Sequence, residues 1–452
     1  MASVTQIILP PSYTGGGGGS PVTFDYYISP TGSDSNPGTL ASPWAITALA
    51  TKTSSITNKT VGLLDGTYIV TPSNSGGNNT GGIQWNAAGC TIKAVNPRQA
   101  VVTTNNAGSY PQWTDPAIQV MGANSVVDGI KFYQSSFDFL RITGTGSVIK
   151  NCHFEDVQLS RISGYPQGDN IGALTIGSGT IPTVTVDNCY FNNILNGNAS
   201  ENSCCIGPIY HGGNTTITRC GFFNSVVGIG WKSYNNGPLT VTSCYFDATI
   251  SKLAVYGGMS NDYVVPMQFT FKNNVVNRPA YALDIWQIND PHSENWTDIQ
   301  HNTFVMSTNL WGVSGIAYGN GLGGPVLSGS DLHHCILRDN VFMGDAGVAA
   351  PVLYFETGRN SSLDLFGIAD YNMYSYLNMH DADGVTYSTL ANWQARTGQE
   401  SHSLNASATF VNSTGGTPAS YALASGFGRN AASDGTDIGA WGGGVTQIGF
   451  NF

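Results

Sequence analysis

Charge is what this chain has least of. Only 10% of its 452 residues are Asp, Glu, Lys or Arg, with 17 basic against 28 acidic side chains and a formal net charge of −11. Scattered cations on an acidic chain argue against a nucleic-acid footprint, which needs Lys and Arg gathered on one face. The same balance weakly disfavours a polyanionic partner. Glu, Lys and Leu are too few for many helices. A membrane-spanning run is missing as well. The opening MASVTQIILPPSY has no basic stretch, and its apolar run stops at Pro10 and Pro11, so it reads as neither a signal peptide nor a span. Metal patterns are absent too. The 8 cysteines show no CxxC spacing, and with no export signal buried reduced thiols are the expectation. His333 and His334 are adjacent, so on a strand they point opposite ways and cannot share an ion. The HDADGV stretch at 380–385 has no downstream bidentate Glu at calcium-loop spacing, and it reads as a surface turn.

What the chain does have is repetition. IKNCHF (149–154), VDNCYF (186–191), ITRCGF (217–222), VTSCYF (241–246), FKNNVV (271–276) and IQHNTF (299–304) place an apolar residue, two mostly polar ones, a Cys or Asn and a second apolar residue at fixed offsets. The anchors are Cys152, Cys189, Cys220, Cys244, Asn274 and Asn302, with further copies at Asn340 and Asn372 and a degenerate one at Gly129. Their separations run from roughly 23 to 38 residues, within the range of solenoid repeats. Unequal spacing disfavours helical repeats and favours a coil of strands whose loops swell on one face. The fold class is therefore all-β, a single right-handed parallel β-helix of about nine to eleven coils. In such a coil each turn lies about 4.8 Å above the last, so that equivalent residues stack into ladders. A plentiful supply of Gly, 57 residues in all, fits a turn-rich chain.

The ends divide the chain. Residues 1–14 read as a docking peptide whose VTQIILP could add as a strand to another protein's sheet edge. Residues 15–21, with Gly15 to Gly19, read as a flexible linker. Residues 22–443 form the β-helix and 444–452 a tail.

Residues 26–50 (YYISPTGSDSNPGTLASPWAITALA), LLDGTY at 63–68, TFVNS at 409–413 and DGTDIGAWGG at 434–443 resemble the opening and closing segments of the pectate-lyase-like β-helix superfamily. The likeness is to the branch of chondroitinase B, alginate lyases and phage β-helix proteins. In that branch a Lys-Ser segment supplies a base, with a metal-binding Glu shortly before it and an Arg one coil later. Lys232 and Ser233 match the pair, but Gly228 to Trp231 offer no carboxylate, and Tyr256 and Gly257 stand near the Arg position. No cofactor is implied on this reading; Ca2+ is compatible but has no motif of its own.

Strand parity gives a candidate surface, because alternate residues point to opposite faces. With Leu253 and Val255 inward, Ala254 and Tyr256 face out; with Leu283 and Ile285 inward, Asp284 and Trp286 do; in VVGIGWKS, Lys232 does. Lys232, Tyr256 and Trp286 each fall twelve residues after an anchor, which predicts stacked neighbours on three coils. Tyr210, Tyr354 and Glu356 extend the same face. A row of exposed aromatics with polar neighbours suits sugar rings.

The resulting expectation is a virion appendage, such as a phage tailspike, tail fibre or capsid decoration protein, docked through its N-terminal peptide and recognising a bacterial surface polysaccharide. A homotrimer is compatible with the tailspike form, and neither nucleic acid nor membrane is a partner. An alternative is a polysaccharide lyase, with Lys232 and Tyr256 as base and acid, or a glycan hydrolase using a pair such as Asp284 and Glu356. A third is a structural spacer without a ligand.

Overall fold

The residue before each anchor takes a left-handed backbone in the computed structural model: Asn151, Asn188, Arg219, Ser243, Asn273, His301, Asp339 and Tyr371 all have φ between 52° and 59°. For a residue with a Cβ that conformation costs about 1–2 kcal/mol, and Asn bears it best because its amide bonds locally. Each such residue turns the chain sharply from one sheet into the next. The structure describes residues 23–70, 82–104, 116–135, 138–158, 171–177, 182–195, 203–209, 213–232, 237–258, 268–279, 281–286, 296–306, 316–319, 335–344, 351–355, 366–412 and 416–449.

Among the described residues, three sheets of twelve strands each run along the molecule. Within a coil the chain passes from the first sheet (for example Ser147–Lys150) round the anchor corner into the second (His153–Gln158), then into the third (Ile171–Ile176). The stack is a right-handed parallel β-helix, in parallel register throughout apart from one antiparallel hairpin that closes the third sheet.

The anchors explain why Cys and Asn interchange. The thiols of Cys152, Cys189, Cys220 and Cys244 donate to the carbonyl two residues earlier at 3.2 to 3.4 Å. Asn302 and Asn340 aim their amides at the same carbonyl, both at 2.9 Å. All eight cysteines are buried with free thiols. Asn adds what Cys cannot: Nδ2 of Asn274, Asn302 and Asn340 each donates to the Oδ1 of the next Asn, at 3.1, 3.0 and 3.1 Å. On the coil below Cys152 the left-handed corner residue is Gly129 itself, at φ 71°, so Ile130 and not Gly129 holds the anchor position there. Two positions after Ile130, Cys152, Cys189, Cys220 and Cys244, rings stack through the interior: Phe132, Phe154, Phe191, Phe222 and Phe246 lie 4.7 to 5.3 Å apart and nearly parallel.

Both ends of the core are covered. Helices at Ala48–Thr51 and Thr53–Ile56, with Trp44, bury Leu49 and Ile56 at the start. At the far end the helix Leu390–Thr397, capped by Thr389 and ended by left-handed Gly398, inserts Trp393.

The coils stop earlier than residue 443. The last coil strand is Leu404–Asn405, and the chain beyond it forms a strap that folds back along the outer face of the second sheet. Ser433 donates its amide and hydroxyl to the Asp339 carboxylate at 2.6 and 2.7 Å. Further down, Ala440 N reaches Thr303 Oγ1 at 3.0 Å, Asn273 Nδ2 holds the carbonyls of Ala440 and Gly442, and Gly449 N meets Ser243 O at 2.6 Å. Phe410, Tyr421, Leu423, Ile438 and Ile448 thereby bury Tyr245, Val275, Val305, Val341 and Met373. Gly442 is required there: an added Cβ would lie 2.0 Å from Asp437 O and 2.5 Å from His301 Nδ1. Residues up to 449, set apart in sequence as a tail from 444, belong to this strap. The expected docking peptide and linker lie outside the described residues.

Candidate functional site

The expected row of Lys232, Tyr256 and Trp286 does not form. Tyr256 pairs with Gly230 below and Asp284 above, whereas Lys232 pairs with Gly258 and Trp286 with Gly319. Tyr256 thus stands two residues out of step with the other two. The cause is a corner: 247–252 separates the sheets on its coil, where 223–226 and 277–280 do so on the coils either side. Those extra residues close a turn on Asp247, whose carboxylate takes the amide and hydroxyl of Thr249.

Nor is Tyr256 exposed. It is 4% accessible and sits in a small apolar patch with Cys204, Val226, Val227 and Leu253, apart from the main core, while Ala254 lines that core. The expectations of an outward Ala254 and an exposed Tyr256 are both corrected. The tyrosine is packed under cover on the third sheet and does not join an exposed row. Asp284 and Tyr354 are half-buried on the same column, separated by Ala317. Tyr354 stacks on His380 at 4.9 Å. The side chains of Lys232 and Trp286, and all of Tyr210 and Glu356, lie outside the described residues. A cation does stand lower in the column, where none was expected: Arg141, aligned with Gln119 and Thr175. It is buried and faces Asp138 at 3.6 Å, with Thr175 and Gly172 donating to that same carboxylate. This is a structural ion pair under cover.

The HDADGV turn behaves as a turn. Asp381 and Asp383 accept local amides and hold Arg396 at 2.7 and 3.6 Å. Among the described residues no group of three or more His, Cys, Asp or Glu could hold a metal ion, and no helix is long and apolar enough to cross a membrane.

A different face brings rings and ionisable groups together. On the second sheet the residue after each anchor points outward, opposite the stacked Phe, and so does the residue after the Phe. Below the strap these positions carry Lys131 and Tyr133, His153 and Glu155, Tyr190 and Asn192, then Gly221 and Phe223, aligned coil by coil. The His153 ring lies 5.0 Å from Tyr190, Tyr190 lies 5.2 Å from Phe223, and Phe223 lies 5.6 Å from Tyr245. Gly221 has no side chain, so the Phe223 ring falls between its two tyrosine neighbours. Lys131 sits 4.9 Å over the Tyr133 ring, which is 36% exposed, and binds Glu155 at 2.9 Å. Glu155 also faces His153 at 3.4 Å. Asn224 donates to Asn192 Oδ1 at 2.8 Å along the rim.

Electrostatics tune the lower end of this track. Burial lowers the pKa of His153, keeping the imidazole neutral more readily despite Glu155 beside it. Burial opposes ionisation of Glu155, but hydrogen bonds from His153 and Lys131 outweigh it and hold its carboxyl below the ordinary range. Tyr190 is pushed up to about 12 by burial and by the Glu155 and Asp247 charges. The track therefore offers a neutral base, an ionised carboxylate and an ammonium beside a run of rings. Sequence parity carried the signal for it: CHF, CYF and CYF put His153, Tyr190 and Tyr245 opposite their inward Phe.

Fold comparison agrees with this architecture. Pectate lyase Pel9A matches with a TM-score of 0.53 at 17% identity, covering 92% of this chain and 96% of that one. A mannuronic acid specific polysaccharide family 6 lyase from human gut microbiota gives 0.40 at 14%, covering 77% and 86%. A rhamnogalacturonan lyase gives 0.38 at 15%, covering 72% and 83%. No family model matches the chain. No curated protein matches it either. The chain is a right-handed parallel β-helix. It shares that fold with pectate lyase Pel9A.

Proposed function

We propose that this protein binds an extended polysaccharide along the outer face of its second sheet, between Tyr133 and Phe223. The observation that carries the reading is the ring run: beyond the exposed Tyr133, the half-buried Tyr190 and Phe223 succeed one another at 5.2 Å on a rigid sheet, with the buried His153 ring packed 5.0 Å from Tyr190. Sugar rings pack their C–H faces on such aromatics, while the Asn192 and Asn224 amides, Lys131 and Glu155 serve the hydroxyls. Fold likeness to a pectate lyase supports the substrate class by analogy.

A second reading, depolymerisation by lyase or hydrolase chemistry, is favoured by His153 and Glu155, 3.4 Å apart on the same track, as groups able to move a proton. The finer form of the binding reading is a virion appendage, a phage tailspike, tail fibre or decoration protein, docked through residues 1–14 and spaced by Gly15 to Gly19. The test is incubation of the full chain with a panel of bacterial surface polysaccharides, reading retention on the glycan and ultraviolet absorbance from new unsaturated ends. Retention without cleavage supports recognition. Cleavage that Glu155→Gln abolishes moves the protein to the depolymerases, and retention by no polysaccharide leaves a spacer. Deleting residues 1–20 should leave a folded protein that no longer joins its assembly; loss of folding would refute the anchor.

A further inference from the structure

The aromatic track has one open and one closed end. Downward, toward the start of the chain, the coils after Tyr133 present Val101 and Thr103, then Thr67 and an exposed Ile69. Thr67 and Ile69 are exposed and Val101 and Thr103 half-buried, so among the described residues this stretch of the face is uncovered. Upward, the column continues to Tyr245, but there the strap sits directly on the sheet. Gly449 donates to Ser243 O at 2.6 Å, and a Cβ added to it would lie 3.2 Å from Tyr245 Cβ and 3.1 Å from Pro418 Cγ. Trp441 Nε1 ties to Pro418 O at 3.1 Å, so the layer above Tyr245 is itself fastened. Tyr245 is fully buried and Phe223 packs against the strap's apolar cluster. A chain lying on Tyr133, His153, Tyr190 and Phe223 would therefore run into a wall one coil later.

Resting on the polysaccharide reading above, we propose that this site takes the terminal stretch of a glycan chain, with the chain end against the strap, and not an internal segment. Its four coils, at about 4.8 Å each, hold roughly three to four sugar units. The specificity-determining element is the strap segment at Ile448 and Gly449, which no sugar needs to touch chemically for it to set the length limit.

The test uses the polysaccharide that the full chain retains best, as intact polymer and as size-fractionated oligomers from its partial acid hydrolysis, titrated by calorimetry. Affinity should climb to about four units and then stay flat, with one protein bound per polymer chain whatever its length. Several proteins per chain, in proportion to length, would overturn the terminal assignment while leaving polysaccharide binding intact. Retention of no polymer would overturn polysaccharide binding itself, and the terminal assignment with it. Reducing the reducing end with borohydride identifies the terminus: lost affinity assigns the reducing end, and retained affinity the other. A chain shortened by residues 445–452 keeps most of the strap, and in it the plateau should move to longer oligomers; an unmoved plateau would show that the strap is not the wall.

Discussion

Asn302 donates its side-chain amide to Asn340 Oδ1 at 3.0 Å, while its own Oδ1 accepts both the backbone and side-chain amides of Asn274 at 2.9 and 3.1 Å. Every side chain in this ladder is buried, and each Asn amide is shared between the next Asn along the axis and backbone carbonyls of its own or the preceding coil. Asn302→Ala leaves the buried backbone N–H of Asn274 without its acceptor, and the Asn274 side-chain amide with Val241 O alone, and should destabilise the fold by about 3 kcal/mol. Asn302→Cys keeps a donor for the Gln300 carbonyl, as in the lower coils, and should lose less. Urea unfolding of the three proteins checks the order.

Tyr256 and Tyr190 should respond in opposite ways. Truncating the covered Tyr256 to Ala removes a large side chain from a packed patch and should cost about 3 kcal/mol, with glycan retention unchanged. Tyr190→Ala on the open track should leave the melting temperature within a few degrees and lower affinity roughly tenfold, equivalent to about 1.4 kcal/mol. Thermal melts beside binding isotherms separate the two cases. An unstable Tyr190→Ala that still binds would contradict both assignments.

The Asn ladder ends on a carboxyl. Asn372 Nδ2 reaches Glu400 Oε2 at 3.1 Å, Tyr374 donates to Oε1 at 2.7 Å, and Ser403 Oγ bonds Oε2. Burial raises the Glu400 pKa above its ordinary value despite these donors. The folded state therefore holds its proton more tightly than the unfolded chain. This contribution to stability is complete below the unfolded pKa and is lost as pH rises through the folded one. Glu400→Gln should flatten the fall in melting temperature above about pH 4.5, a difference read from melts in a pH series.

The opposite sign applies on the track. Glu155 is held below its ordinary range and His153 is lowered. Both bind protons more readily in the unfolded chain, so their contribution is present at neutral pH and is lost as pH falls, through the His153 range first and then the Glu155 range. Glu155→Gln should deepen the loss in the imidazole range, because Glu155 holds the His153 pKa up against burial, and should remove the further loss in the carboxylate range, both read from the same melts between pH 7 and 4.

Legibility in the sequence followed how strongly a residue is constrained. Anchors such as Cys189 and Asn340 were readable because a corner admits few side chains there, and repetition exposes them. Their left-handed predecessors, Asn151 or His301, had the same visibility in the NC and HN pairs. The displaced Tyr256 was not readable, because nothing in DATISK states how many of its residues extend a strand and how many turn a corner. Two residues there shift register by a full outward step. DGTDIGAWGG marked the end of the fold without stating where it lies, since the Ser433 to Asp339 and Gly449 to Ser243 contacts join residues far apart in the chain.

The sugar site lies, on this account, on the outer face of the second sheet and not of the third. Affinity electrophoresis of the full chain and of a Tyr190→Ala, Phe223→Ala double variant, in gels cast with the retained polysaccharide, tests it most directly. The full chain should be retarded, and the folded double variant should run as it does in a gel without glycan. Equal retardation of both would contradict this and place the sugar elsewhere on the helix.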